Sequence, residues 1–325
     1  MQRRISLLLI FAMLCALLSG CSFTVKDGLN VEFYVGDELY ATSSVSMGKS
    51  VASHKAPDLD NLIFIGWFYD KACTIEHDFS LPVLVDLKLY AGYTIDAVAV
   101  SDMVNNTLIK SIVTVQNKSY NVGYAGVVET SATVSAGSGV VIDISGGYCY
   151  VLTNCHVAKK EEGYAKLDLT VEDAWGNKFE AQVYQSSKSD HPAISEDYDL
   201  ALICFKYTPP KETQTLVEIG VANDPLVNDY VIALGTPGGI KNTSSLGKVI
   251  SYSKIDLEES DDSNVRFDII VHDANINHGS SGGPLLNING ELVGINYAGY
   301  GNGEFGCAIP MSKVNSFLDT YVYVK

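Results

Sequence analysis

The stretch Asn277–Asn287, NHGSSGGPLLN, sets two adjacent serines among three glycines and closes on a proline. Either it is a plain surface turn, or it carries a nucleophile whose neighbours must leave room for a substrate carbonyl. Outward from it the pattern is that of strands. PLLN runs into Asn289–Gly290, a hairpin signal, and then into the apolar ELVGIN. Upstream, strands are expected at 111–116, 138–144, 148–154, 165–172, 178–185 and 199–206. A second set is expected at 230–234, 246–255, 266–272, 284–288, 291–297 and 305–309. Two runs of about six strands with no helix between them point to two β-barrels rather than a parallel α/β sheet. A terminal helix is expected near 311–321, with Ser312 as its N-cap.

Chain order narrows the chemistry. Gly279–Gly283 satisfies G-x-S-x-G, the nucleophile elbow of α/β-hydrolases, which needs an acid and then a histidine after the serine. All six histidines (54, 77, 156, 191, 272 and 278) precede Ser281, so that reading fails. An acid-first, subtilisin-like order lacks its local signatures. The order histidine, acid, serine remains. His156 in VLTNCHVA sits where a strand ends, and Asp199 in DYDLALICF opens an apolar strand. This places base and acid in the first barrel and the serine in the second, with a cleft between them. Asp190 and Asp197 are weaker acids because neither immediately precedes an apolar strand. Asp273 reads as a local hydrogen-bonding residue, His191 and His272 as structural or exposed, and His278 as a rim residue.

In this order, GSGVVID, LTNCHV, DLAL, LGTPGG, GKVIS, DANINHGSSGGPL, GELVGIN and FGCAIP resemble successive signatures of trypsin-like serine proteases, in particular the bacterial HtrA/Deg branch. The resemblance covers about residues 110–312. It implies an all-β, double β-barrel fold and peptide-bond hydrolysis without a metal or organic cofactor. Ser281 would attack the scissile carbonyl, His156 would relay the proton, and Asp199 would fix the imidazole tautomer. The amides of Gly279 and Ser281 would form the oxyanion hole, where a side chain at 279 would obstruct the turn. Ser280, the rival nucleophile, stands where the family commonly has Asn. Asn275 and Ile276 are expected in the primary substrate pocket, uncharged and apolar, which favours a small or medium aliphatic residue before the cut. Members of this branch usually carry a PDZ domain after the protease. The fifteen residues after Pro310 leave no room for one, so PDZ-based capture is expected to be absent and trimer formation is not implied.

The 325-residue chain is 47% hydrophobic and 18% charged, a globular composition. Its formal net charge of −16, with no Lys/Arg cluster, argues against nucleic acid as partner. Arg3 and Arg4 precede the apolar run Ile5–Leu18, which is shorter than the ~18 residues of a spanning helix. Residues 1–20 read as a signal peptide, and LSGC (Leu18–Cys21) resembles the lipobox of bacterial lipoproteins. Cleavage before Cys21 would leave that residue lipidated and the chain anchored outside the cytoplasm; losing Arg3 and Arg4 takes the net charge to −18. The later cysteines (73, 149, 155, 204 and 307) show no Cys-x-x-Cys spacing, which disfavours a zinc site.

Residues 24–95 form a separate unit. LNVEFYVGDELYATSSV alternates about a Gly-Asp turn, and the aromatic-rich segment after it ends in LYAGY. With Gly66–Trp67, this resembles one copy of the Listeria–Bacteroides repeat of bacterial surface proteins, a small β-grasp-like module. His54 and His77 lie in it without metal-ligand spacing. Residues 96–110 read as a linker entering a short helix, and 111–325 as the protease domain. Protein or peptide substrates and a lipid-anchored extracytoplasmic location follow from this reading. The competing reading is a catalytically silent surface-binding or adhesin-like protein on a protease scaffold.

Overall fold

The computed structural model describes residues 28–123, 129–236, 243–254, 265–300 and 304–323. The leader, Cys21 and part of the LGTPGG segment lie outside the described residues. The chain divides into two compact units, one ending at Ile95 and the other beginning at Asp96.

The first unit is a four-stranded sheet of β1 (Leu29–Val35), β2 (Glu38–Val45), β3 (Leu62–Phe68) and β4 (Leu87–Ile95), in the order β2-β1-β4-β3. Gly36, at φ +59°, makes the tight turn between β1 and β2. β1 and β4 pair in parallel at the centre. Val31, Phe33, Trp67 and Leu89 fill one face, and the Phe33 and Trp67 rings meet edge to face at 4.8 Å.

The second unit begins with helix α1 (Ala97–Asn106), capped by Asp96, whose Oδ1 accepts from the amides of Val98 and Ala99. A 3₁₀ turn at Leu108–Ser111 follows. The first barrel contains β5 (Ile112–Val122), β6 (Glu129–Ser145), β7 (Tyr148–Thr153), β8 (Lys166–Glu172), β9 (Lys178–Val183) and β11 (Leu200–Lys206). Pairing of β11 with both β7 and β9 closes the ring, and the two-residue β10 (Ile194–Ser195) hangs on β11. Gly146 and Gly147, both at positive φ, supply the left-handed hairpin turn from β6 to β7. The core is rich in β-branched residues: Val113, Val115, Val141, Val151, Val171 and Ile203.

The second barrel is closed in the order β12-β13-β14-β17-β16-β15. Its strands are β12 (Tyr230–Gly235), β13 (Thr243–Ser253), β14 (Ile269–His272), β15 (Pro284–Asn287), β16 (Leu292–Tyr300) and β17 (Phe305–Pro310). Val231, Val249, Ile270, Leu285 and Val293 form its interior. The two rings together are the double barrel expected from the sequence, and the Asn289–Gly290 hairpin forms with Gly290 at φ +80°.

The structure differs from the sequence-based expectation in two instructive places. β6 begins at Glu129, not near 138, because it pairs with β5 along the whole run from Ile112↔Val140 to Val122↔Glu129. The segment 129–137 alternates only through Ala132, Val134 and Ala136, small or exposed residues that announce a strand weakly, and pairing with the β5 backbone extends it. A short helix, α2 (Cys155–Ala158), follows β7, and a terminal helix, α3 (Met311–Leu318), follows β17. α3 starts at Met311, as expected, but its N-cap position is Pro310, two residues before the expected Ser312. The Ser312 amide instead donates to Asp224 Oδ1 at 2.9 Å, so a carboxylate distant in sequence satisfies this helix end.

Candidate active site

β7 runs out of the first barrel and turns at Asn154 into α2, which places His156 at the lip. Asp199 sits one residue before β11 at φ +48°, a left-handed conformation that Asp tolerates better than bulky residues. It is almost fully buried. His156 is clamped to it twice. The His156 backbone amide donates to Asp199 Oδ1 at 3.0 Å, and the ring Nδ1 lies 2.8 Å from Oδ2 and 3.1 Å from Oδ1. Asn154 Nδ2 adds a bond to the Asp199 carbonyl at 2.9 Å. A carboxylate has no proton to give, so Nδ1 carries the hydrogen and Nε2 is left with its lone pair. About a third of the imidazole remains exposed.

The glycine-rich turn of the second barrel packs onto this same corner. A Cβ built on Gly282, which has φ +82°, would fall on the Ser138 carbonyl oxygen and on Thr153 Oγ1, and would stand 3.2 Å from the Asn154 amide. A Cβ on Gly137 would be 2.9 Å from both Val157 Cγ1 and the Ser281 carbonyl. Only glycine lets these backbones approach so closely. Thr153 and Asn154, just before His156, therefore lie against the turn that carries Ser281.

The two serines are not equivalent. Ser280 is buried, and its Oγ accepts from the Asn277 amide at 3.2 Å. Ser281 is partly exposed, and its hydroxyl donates to the Tyr297 carbonyl at 3.2 Å. Among the described residues it makes no hydrogen bond to the His156 ring. Rotation about a single side-chain bond separates this hydroxyl position from others at the same Cα.

The peptide groups of the turn are almost all committed. The Ser280 amide donates to Asn277 O, Gly282 to Asn296 O, and Gly283 to Ser280 O, at 2.8–2.9 Å. Among the described residues the amides of Gly279 and Ser281 have no acceptor. Gly279 is at φ +96°, a conformation strained for any side chain.

Beside the turn is a cavity of about 490 Å³, lined by Ala233–Gly235, Thr243–Ser245, Asn275–Asn277 and Ser280. Asn275 and Ile276 are both on its wall, as is the end of β13, which sequence reading did not single out. The lining carries no charged side chain. Asp273 lies outside it, accepting from the Lys248 amide at 2.5 Å. His191 and His278 are exposed.

His272 is fully buried on β14. Its Nε2 lies 3.1 Å from Asn296 Oδ1 while Asn296 Nδ2 donates to the Pro284 carbonyl at 3.0 Å. Asn296 also exchanges backbone bonds with Gly282 and Gly283, so this pair underpins the serine turn from inside the barrel. Burial pushes the His272 imidazole down to about 4, with the Asn296 bond and the nearby Asp273 charge opposing. The neutral ring is thus the native form, and the unfolded chain takes up the proton first. This contribution to stability is intact above pH ~6.5 and is lost as pH falls towards 4, by up to about 3 kcal/mol. Urea unfolding of wild type and His272→Gln at pH 7 and pH 4 is expected to show the smaller acid loss in the variant. Equal losses would remove His272 from the account.

No disulfide joins the five described cysteines. Cys149 is pushed up to about 12, chiefly by burial, which keeps it protonated and unreactive. No described helix is long and apolar enough to cross a membrane.

The second unit thus carries two closed barrels, a buried Asp–His pair and a glycine-framed serine. Residues 137–295 match the family model of the trypsin-like peptidase domain. The chain is 36% identical over 192 residues to the periplasmic pH-dependent serine endoprotease DegQ of Escherichia coli, which covers 57% of this chain and 37% of that protein. It is 34% identical over 187 residues to the serine protease HTRA4 of Mus musculus, over 58% of this chain and 34% of that one. The chain thus spans well under half the length of these relatives. The crystal structure of the active form of the Rv3671c protease from M. tuberculosis superposes with a TM-score of 0.51, over 70% of this chain and 87% of that one. At 23% identity, that likeness concerns the fold.

Proposed function

We propose that this protein is an extracytoplasmic serine endopeptidase, anchored through lipid on Cys21, that hydrolyses peptide bonds with Ser281 as nucleophile. The observation that carries the reading is the Nδ1 bond of His156 to buried Asp199, beside a serine turn with two uncommitted amides. Ser281 Oγ attacks the carbonyl carbon, and His156 Nε2 takes its proton and later gives it to the leaving amine. Asp199 holds the ring and stabilises the imidazolium. The Gly279 and Ser281 amides receive the negative oxygen, each such donor being worth about 100–1000-fold in rate.

Cleavage after a small or medium aliphatic residue fits the pocket. Ile276, Ala233 and Leu234 give it apolar wall, and a charged side chain would enter without a counter-charge. A peptide-library profile is expected to favour Val, Ala or Leu before the cut; dominance of Lys, Arg or Glu would contradict this. The first sheet unit serves as a spacer or binding arm between the anchor and the protease.

A catalytically silent scaffold is the second reading, favoured by the Ser281 hydroxyl turning to the Tyr297 carbonyl rather than to His156. Treatment with a fluorophosphonate probe separates the two. Labelling of wild type that disappears in Ser281→Ala supports the protease, and folded wild type that stays unlabelled supports the scaffold.

A further inference from the structure

Among the described residues the amides of Gly279 and Ser281 face no acceptor, yet a loop this rich in glycine has ample freedom to turn them away. Part of what fixes the turn that carries them lies in the other barrel. Ser138, on β6 of the first barrel, is fully buried. Its backbone amide donates across the seam to the Ser281 carbonyl at 2.7 Å. Its hydroxyl donates to the Gly279 carbonyl at 2.7 Å. The same oxygen accepts from the Thr236 amide at 2.9 Å, at the end of β12, and lies 3.2 Å from Thr236 Oγ1. The Ser138 carbonyl accepts from Thr153 Oγ1 at 2.7 Å, which ties it back to the strand that leads into His156.

We infer that Ser138 is a positioning residue for the oxyanion hole, a role that rests on the protease reading above. The argument is one of peptide planes. In a planar trans peptide the carbonyl and the next amide point in opposite directions. Fixing the Gly279 carbonyl on Ser138 Oγ sends the Ser280 amide the other way, to Asn277 O. Fixing the Ser281 carbonyl on the Ser138 amide sends the Gly282 amide to Asn296 O. Between these two anchors, the Ser280 carbonyl accepts from Gly283, which leaves the Ser281 amide on the opposite side. Ser138 thus grips the carbonyls at both ends of the Gly279–Ser281 segment.

No other described side chain donates to the Gly279 carbonyl, which lies against buried Ser138 and Ser280 with Gly235 packed beside them. A Cβ on Gly235 would lie 3.0 Å from Ser138 Oγ and 3.1 Å from Ser280 Cα. Removing the Ser138 hydroxyl takes the side-chain donor from the Gly279 carbonyl and the acceptor from the buried Thr236 amide together. The peptide between Gly279 and Ser280 then gains by rotating, and the hole loses its geometry while the pocket and the His156–Asp199 pair do not change.

The test is Ser138→Ala on the full chain. Thermal unfolding establishes that the variant is folded; if it is not, Ser138→Cys, nearly isosteric with a much weaker donor, takes its place. The expected result is a fall in kcat of about 10- to 100-fold with KM within about two-fold, because a displaced donor acts on the transition state alone. Affinity for a peptide boronate, whose adduct places an oxygen in the hole, should fall in step with kcat. Affinity for an uncleaved product peptide should not change. Wild-type kcat in a folded variant, or a loss confined to KM, would overturn the inference and leave the protease reading standing. Failure of the wild type to react with fluorophosphonate would instead remove the protease reading itself.

Discussion

Ser281→Ala is expected to lower kcat for peptide hydrolysis on the order of 10⁶-fold, while Ser280→Ala costs about ten-fold at most. The contrast follows from where the two hydroxyls are. Ser280 is buried and accepts one bond from the Asn277 amide, so its loss removes a single structural interaction worth about 1 kcal/mol. Ser281 is the partly exposed hydroxyl at the corner where Gly282 meets Thr153 and Asn154. Its bond among the described residues, to the Tyr297 carbonyl, is one that substrate binding can exchange for a bond to His156 Nε2. Neither substitution enlarges a side chain, and both variants should unfold within a few degrees of wild type. Steady-state kinetics on one peptide substrate, with thermal unfolding as control, decides it. Comparable losses from both serines would mean that the turn is shape rather than chemistry.

The second large effect is expected from Asp199→Asn, at about 10⁴-fold in kcat with the fold intact. Asn is among the residues that tolerate a positive φ, so the turn at φ +48° should survive. The backbone bond from the His156 amide can also survive, because the Asn carbonyl oxygen accepts where Oδ1 now does. What changes is the ring. An Asn amide nitrogen facing His156 Nδ1 at the Oδ2 position would donate rather than accept. The imidazole would then carry its hydrogen on Nε2 and could not take the serine proton. Loss should ease at high pH, where other bases compete, and thermal stability should change little. A folded Asp199→Asn with turnover near wild type would show that the pair serves structure alone.

The fold was legible where side chains encode it. Val113, Val115, Val151, Ile203 and their partners advertise buried strands by their branched side chains, and Asn289–Gly290 advertises its hairpin. The barrel closure was legible only as a count of strands, since pairing of β11 with both β7 and β9 depends on residues far apart in sequence. β6 was read short because its first nine residues pair through backbone with β5 and alternate only weakly, through Ala132, Val134 and Ala136. The cap of α3 was misplaced for a related reason: Asp224, which accepts from Ser312, lies 88 residues away, and local pattern cannot report it.

The site was legible as a set of residue types in a certain order. His156, Asp199 and Ser281 announce themselves through chemistry and strand context. Ser138 and Thr236 do not, because a buried Ser or Thr that satisfies carbonyls looks in sequence like any small polar residue on a strand. Asn296 is hidden in the same way: its work is done by one amide side chain and two backbone groups at once. Ser244 and Ser245 reach the pocket wall because β13 pairs there with β12, a matter of register and not of residue type.

The most direct test of the account is a crystal structure of the protein reacted with a peptide boronate ending in valine. The boron is expected on Ser281 Oγ, with one boronate oxygen within about 3 Å of both the Gly279 and Ser281 amide nitrogens and the valine side chain beside Ile276. Boron on Ser280, or an oxygen that neither amide reaches, would contradict the proposal that the two barrels meet to build a working hydrolytic centre.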